Sequence, residues 1–443
     1  MPNINLTKDI AKFCHAFRYD DLPGEVVEKV KVCTLHGIGV GLAAVERPTV
    51  QQAWRLVKKV DAQRDSRTRL LADGTKVSID GAAFANSVLL HSRFQEDDYH
   101  DGLIHLGVVV LPAALACAEQ NRRNGKDFIA AVAAGYEIGA RISRTYAHFS
   151  VSRGFRSTPL YGPIAVAVSS AKLLGLTEEQ MISALGWAAN SGGGLLECGV
   201  AQVIVEMPFQ AGLACSKGVM AALLAQEGAI TAPTLLEGKR GFLQAFTGTN
   251  EEMEKVTDGL GKQYFMLDTF FKHYPVGGLL QASVSAMLGL VQEYNIEPSQ
   301  IQNVKLRLSP VEALYPGADS MKPGPMSLQY CLAVAACERK VTPSAIDGVV
   351  NPCISNLMTK IKVIPDESIA PLSCKLILTT ANQGTLEREE KIGISNFADE
   401  VELVKSLIPE MKTPRQKVMK AIEMIKNLEA CEDISRLVDL LVL

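Results

Sequence analysis

The sequence of 443 residues has ten cysteines but no C-x-x-C pair; they stand singly at 14, 33, 117, 198, 215, 331, 337, 353, 374 and 431. That scatter excludes a zinc ribbon and a thioredoxin-type redox centre. Where cysteines fall in apolar helical patterns, as Cys117, Cys215 and Cys331 do, buried reduced thiols are expected, in keeping with a reducing cytoplasm. No G-x-G-x-x-G follows a strand and no G-x-x-x-x-G-K-[ST] occurs, so no nucleotide-phosphate loop is indicated. The G-x-S-x-G elbow of a serine hydrolase is missing, and so is H-E-x-x-H. Neither charge sign dominates: Lys+Arg 45 against Asp+Glu 48 gives a net charge of -3, with no global attraction to nucleic acid or an anionic membrane. The longest apolar stretches, such as 108–117, are too short to span a bilayer. The start, MPNINLTKDIAKFC, shows no arginine-rich or apolar leader, so no export signal is expected.

What is present is a globular composition, 47% hydrophobic and 21% charged, long enough for two or three domains. Apolar residues recur at helical spacing over 6–17, 23–42, 80–90, 111–120, 127–142, 163–174, 178–190 and 210–226. Asp127 is a plausible N-cap for its helix, and Thr177 one for the helix that follows it. Near Phe270 the texture changes. Segments 301–308, 360–363 and 374–380 alternate with a period near two, with helices expected at 327–336 and 342–350. The expected architecture is mainly α: a large all-helical domain over 1–269, completed by 401–443, and a smaller α+β domain over 270–400.

Chemistry concentrates in three segments. HSRFQEDDYHDGLIHLG, 91–107, holds three of the seven histidines and four acids: His91, Glu96, Asp97, Asp98, His100, Asp101 and His105. Ionisable groups between two packed helices must be paired, hydrated or used. His and carboxylates suit Zn, Mn or Fe, but the spacing matches no standard ligand motif; the other readings are a solvated helix-capping loop and a loop in which His105 and an aspartate orient protons. The second segment, 148–162, gathers Arg153 and Arg156 with His148, close in sequence to Arg144 and Tyr146. Guanidinium forks at a helix start suit carboxylates, with a solvated loop as the plain alternative. In the third, FFKHYPVGG at 270–278, Lys272 stands among aromatic residues. It is either an ordinary snorkelling side chain or, if a site closes over it, a usable base.

These segments, with GLACSKGVMAALLAQEG, LLEGKRGFLQAF and PMSLQYCLAVA, resemble the MmgE/PrpD family over nearly the whole chain. That family includes 2-methylcitrate dehydratase, cis-aconitate decarboxylase and iminodisuccinate epimerase. The resemblance implies a homodimer with a site in a cleft between the two domains, and no metal or organic cofactor. It places the family's aspartates on Asp97 and Asp98, the following histidine on His105, and the K-x-Y-P stretch on Lys272, Tyr274 and Pro275. Tyr99 takes the place of the usual threonine.

Three departures bear on the reaction. The histidine of the family's R-G-[FW]-H-x-T pattern is Arg156, that of K-x-[LF]-H-x-G is Gln210 with Met207 for the lysine, and the one after K-x-Y-P is Gln281. Arginine can only hold charge and glutamine can only hydrogen-bond, so leaving-group acids are lost. Epimerisation needs none. The expected function is therefore proton removal and return at a carbon α to a carboxylate, on a di- to tetracarboxylate such as iminodisuccinate. In this reading Lys272, His105, Tyr146, Tyr274 and Asp98 are catalytic, while Arg156, Arg144, Asp97, His100, His148 and Gln210 bind substrate. A dehydratase-like or decarboxylase-like lyase, or a degenerate anion-binding member, stands as the alternative.

Overall fold

The structure, a computed structural model, describes residues 5–61, 66–201, 203–315 and 320–443. Two compact units result. The first comprises Met1–Leu196, Val205–Phe271 and Ser395–Leu443; the second comprises Glu197–Ile204 and Lys272–Ile394. The sequence places the breaks near 270 and 400; the chain crosses at 271/272 and 394/395, and the short segment 197–204 goes with the second unit. No helix among the described residues is long and apolar enough to cross a membrane.

The first unit is helical. It contains α1 (Leu6–Ala16), α2 (Gly24–Leu42), α3 (Pro48–Val60), α4 (Ile79–His91), α5 (Gly107–Gln120), α6 (Gly125–Ser152), α7 (Ser157–Leu174) and α8 (Glu178–Ser191), then the helix Met207–Gln226. Helices α5 and α7 are buried along almost their whole length, which explains their apolar, alanine-rich sequences. Small residues let helix axes approach: a Cβ on Gly212 would lie 2.8 Å from Val88 Cγ2 and 2.9 Å from the Phe84 carbonyl of α4. Thr177 caps α8 in a reciprocal box with Gln180. The cap of α6 is Asn124 rather than Asp127, whose backbone N–H is the donor to the Asn124 side chain. From the C-terminal end, Phe397–Leu407, Arg415–Lys426 and Ser435–Leu441 pack back on this unit, with Val404, Ile425 and Leu437 in its core.

The second unit carries a four-stranded sheet in the order β4-β3-β5-β6, built from β3 (Ile301–Leu308), β4 (Ile361–Pro365), β5 (Ser373–Thr380) and β6 (Gly384–Lys391). Strands β3 and β4 run parallel and the other pairs antiparallel. Burial alternates strictly along β5, as a sheet with one covered face requires. The helices Gln281–Glu293 and Leu328–Glu338 contribute to the same core. The helix expected over 342–350 is only Pro343–Ile346; Gly348 follows it, and Asn351 caps a separate helix, Pro352–Met358. Cys337 and Cys353 form a disulfide in this unit, whereas Cys117, Cys215 and Cys331 are free and buried, as their apolar helical settings lead one to expect.

Candidate functional site

The acidic segment joins α4 to α5 and is held at both ends by backbone pairing. Strand β1 (Asp97–Asp98) pairs antiparallel with β2 (Phe270–Phe271), and Tyr99 bridges to Ile104 around a tight turn. Leu103, at the tip, has φ +48, a left-handed conformation that a leucine adopts only under constraint. Asp97 anchors the segment to the core: Oδ1 accepts the Gly107 N–H at 3.0 Å and Oδ2 accepts the Tyr136 hydroxyl at 2.6 Å. Gly107 opens α5, so the carboxylate also meets a helix N-terminus. Burial pushes the Asp97 carboxyl above its ordinary range, although those two donors favour the anion.

Five ionisable side chains converge here: His91, Glu96, Asp98, His105 and Arg156. His91, at the end of α4, has Nδ1 at 3.2 Å from Glu96 Oε2 and Nε2 at 2.7 Å from an Arg156 Nη2. Guanidinium only donates, so Nε2 of His91 accepts; the imidazole is then neutral, with its proton on Nδ1 toward Glu96. His105 lies at 5.5 Å from His91 between ring centroids. Its Nδ1 faces the Asp97 carbonyl at 3.0 Å, Glu96 Oε1 at 3.7 Å and Asp98 Oδ2 at 3.8 Å. A nitrogen surrounded by acceptors carries the proton, which leaves the lone pair of neutral His105 on Nε2. The His105 main chain is fixed by its N–H donating to Thr158 Oγ1 at 3.1 Å, from the first turn of α7. Exposure separates the roles. The side chains of His91 and Glu96 are 0% and 2% exposed, whereas those of His105 and Asp98 are 18% and 13% exposed. His105 and Asp98 therefore form the accessible rim of a buried charged cluster.

Arg156 precedes α7 and is buried; beyond His91 it approaches the Met207 carbonyl at 3.4 Å and Gln210 Oε1 at 3.5 Å. Gln210 is held in turn by Glu206 at 2.7 Å and the Leu195 carbonyl at 3.1 Å. One layer behind, His36 of α2 joins Glu400 (2.7 Å) to the Gln95 carbonyl (2.7 Å), tying the C-terminal helices to the loop. No local motif marks His36, Glu400 or Tyr136, because each reaches the loop from a distant helix.

The other expected residues of the helical unit are placed elsewhere. Arg144 is exposed, 3.6 Å from Asp101 and stacked over Phe265. The Tyr146 hydroxyl donates to the Glu251 carbonyl at 2.7 Å, and burial raises its pKa. His148 is exposed against Phe149, and Arg153 is exposed too. His100 lies in the turn with its imidazolium disfavoured by burial. Of the three arginines Arg144, Arg153 and Arg156, the last joins the cluster.

Lys272 and Tyr274 belong to the second unit, Lys272 being the residue after β2. Lys272 is 1% exposed. Gln281 clamps this loop: its carbonyl oxygen accepts from the His273 and Tyr274 N–H groups, and its amide donates to Tyr274 and Val276 carbonyls at 2.9 and 3.2 Å. Among the described residues no group of three or more His, Cys, Asp or Glu is arranged to hold a metal ion.

Chemically, the cluster offers a buried cation suited to a carboxylate, an imidazole able to move a proton, and carboxylates that steady it. The chain is similar to "Cis-aconitate decarboxylase-like protein oryM" of Aspergillus oryzae, 28% identical over 69% of this chain and 66% of that protein. It is 26% identical to "Cis-aconitate decarboxylase" of Aspergillus terreus over 98% of this chain and 96% of the relative. A second cis-aconitate decarboxylase, of A. terreus strain NIH 2624, is 28% identical over 76% of this chain and 72% of its own. Residues 8–254 match the MmgE/PrpD N-terminal domain and residues 274–395 the MmgE/PrpD C-terminal domain, so the chain belongs to the MmgE/PrpD family.

Proposed function

We propose that this protein is a decarboxylase-like lyase that acts on a small polycarboxylate by way of a carbanion next to a carboxylate. The observation that carries the reading is the Arg156–His91–Glu96–His105 constellation, in which one cation and one accessible imidazole share a buried acidic frame. Loss of carbon dioxide breaks a C–C bond and leaves its electron pair on the adjacent carbon, delocalised toward a neighbouring unsaturated carboxylate. Arg156 holds that carboxylate as charge builds, and His105, after Nε2 takes up a proton from solvent beside Glu96 and Asp98, returns it to carbon. The names of the three relatives support this outcome.

A second reading, epimerisation of a substrate such as iminodisuccinate, is favoured by Arg156 and Gln210 standing where the family pattern has histidines. Both readings pass through the same enolate-like species. Incubation of cis-aconitate, 2-methylcitrate and iminodisuccinate in deuterium oxide, followed by NMR, separates them. The lyase releases carbon dioxide and leaves one deuterium on the product carbon; the epimerase exchanges the α-hydrogen without loss of mass. No product and no exchange from any of the three would leave only an anion-binding role and overturn the proposal. We also propose a homodimer: Leu213, Met220 and Leu224, spaced along one face of Met207–Gln226, are 52%, 42% and 38% exposed.

A further inference from the structure

A second cationic site lies in the helical unit, where α1 and α7 end. A cavity of about 270 Å³ is lined by His15, Arg18, Arg123 and Lys172, with Asp127 as the one acid and Phe17, Tyr19, Leu176 and Met181 among the remaining walls. Each base caps main-chain carbonyls. Lys172 Nζ donates to Cys14 and Phe17 at 2.7 and 2.6 Å, Arg123 Nε to Leu173 at 2.7 Å, Arg18 Nη1 to His15 and Phe17, and His15 Nδ1 faces Leu176 at 3.2 Å. Capping explains why cations gather at helix C-termini. It does not explain four of them around one hollow, none ion-paired with a carboxylate among the described residues. Arg18 and Arg123 use only part of the five-donor guanidinium set on these carbonyls. Gly175, at φ +75, leaves room for the Arg123 fork: a Cβ there would sit 3.1 Å from Nη2.

We propose that this cavity binds a compact polyanion, of the size of inorganic phosphate or a tricarboxylate, between the Arg18 and Arg123 guanidinium groups and the Lys172 ammonium. The state of Lys172 supports it: burial, with Arg18 adding repulsion and Cys14, Asp127 and Asp21 opposing, lowers its pKa to about 8. An anion relieves that repulsion, so near pH 8 binding takes up as much as about half a proton.

The test is titration calorimetry of the full chain with inorganic phosphate and, separately, citrate, at pH 8 in two buffers of different ionisation enthalpy. The expected result is saturable binding of at least one anion with proton uptake. Arg18→Glu, at an exposed position, should weaken binding about tenfold or more, Lys172→Met should abolish the uptake, and Arg156→Met should leave this binding in place. The proposal is overturned if neither anion binds at 10 mM (about a hundredfold above the ~0.1 mM range expected of a multi-donor site), or if Arg18→Glu binds as the native chain does. Comparison of the two arms tells whether phosphate or carboxylate chemistry fits the cavity.

Discussion

Replacing Arg156 by methionine removes the buried cation while keeping much of the side-chain volume, so the fold should survive. A hydrogen bond to a charged group contributes about 1.5–3 kcal/mol. At 1.36 kcal/mol per tenfold, loss of the Arg156 contact to a substrate carboxylate lowers kcat/KM by about 10- to 150-fold. Arg156→Lys retains the charge without the fork and should fall between. A second consequence follows from the 2.7 Å contact between Arg156 and His91 Nε2. The guanidinium forbids a proton on Nε2; without it, the buried His91 beside Glu96 gains the option of protonation, and the acid limb of the pH–rate profile moves. Steady-state kinetics against pH, with circular dichroism to verify folding, reads both. A folded Arg156→Met variant with kcat/KM within about twofold of the native value would refute the assigned role.

The His36–Glu400 pair gives a signed pH dependence. Burial alone would lower the His36 pKa, but facing Glu400, Asp97 and the Gln95 carbonyl raise it above its ordinary 6.5. Below that value both folded and unfolded chains hold the proton and the pair contributes in full; its contribution is lost as pH rises through the folded value. His36→Ala should cost about 3–5 kcal/mol near pH 6, and the gap in Tm between variant and native protein should narrow at higher pH. Gly125 opens α6 with its N–H bonded to the Cys431 carbonyl at 2.7 Å, and a Cβ there collides with the Leu428 carbonyl. Gly125→Val should destabilise by about 3 kcal/mol or more and release the C-terminal helices to limited proteolysis. Reducing the Cys337–Cys353 disulfide, which spans 16 residues, should lower stability by about 3 kcal/mol; unchanged thermal unfolding in dithiothreitol would speak against the bond.

Helical spacing reported the helices of the first unit well because their burial is one-sided or complete. Leu6–Ala16 and Glu178–Ser191 agree with expectation to within a residue at each end. Strand β6 carries no apolar alternation because it is an edge strand with a charged sequence, GTLEREEK, whose exposure suits solvent and discourages edge-to-edge pairing. Helix α3 gives only a weak apolar signal, because its stripe of Val50, Ala53, Trp54 and Val57 lies in a polar, basic sequence. In the site, the crowding of His and acids at 91–107 pointed to His105 and Asp98, and the unusual arginine pointed to Arg156. Tyr146 and His148 are near Arg156 in sequence, but they ride on the last turns of α6, where one hydroxyl bonds Glu251 and one imidazole faces solvent. Proximity along the chain says nothing about which face of a helix a side chain takes. His36 and Glu400, 364 residues apart, could be joined only by the fold.

The central claim is that Arg156 grips a carboxylate within reach of His105. A crystal structure of the protein soaked with a non-reactive tricarboxylate tests it most directly. The account predicts a carboxylate on the Arg156 guanidinium at about 2.7–2.9 Å, with His105 Nε2 turned toward the adjoining carbon. A ligand bound away from the Arg156 guanidinium, with His105 remote from its carbon skeleton, would contradict it.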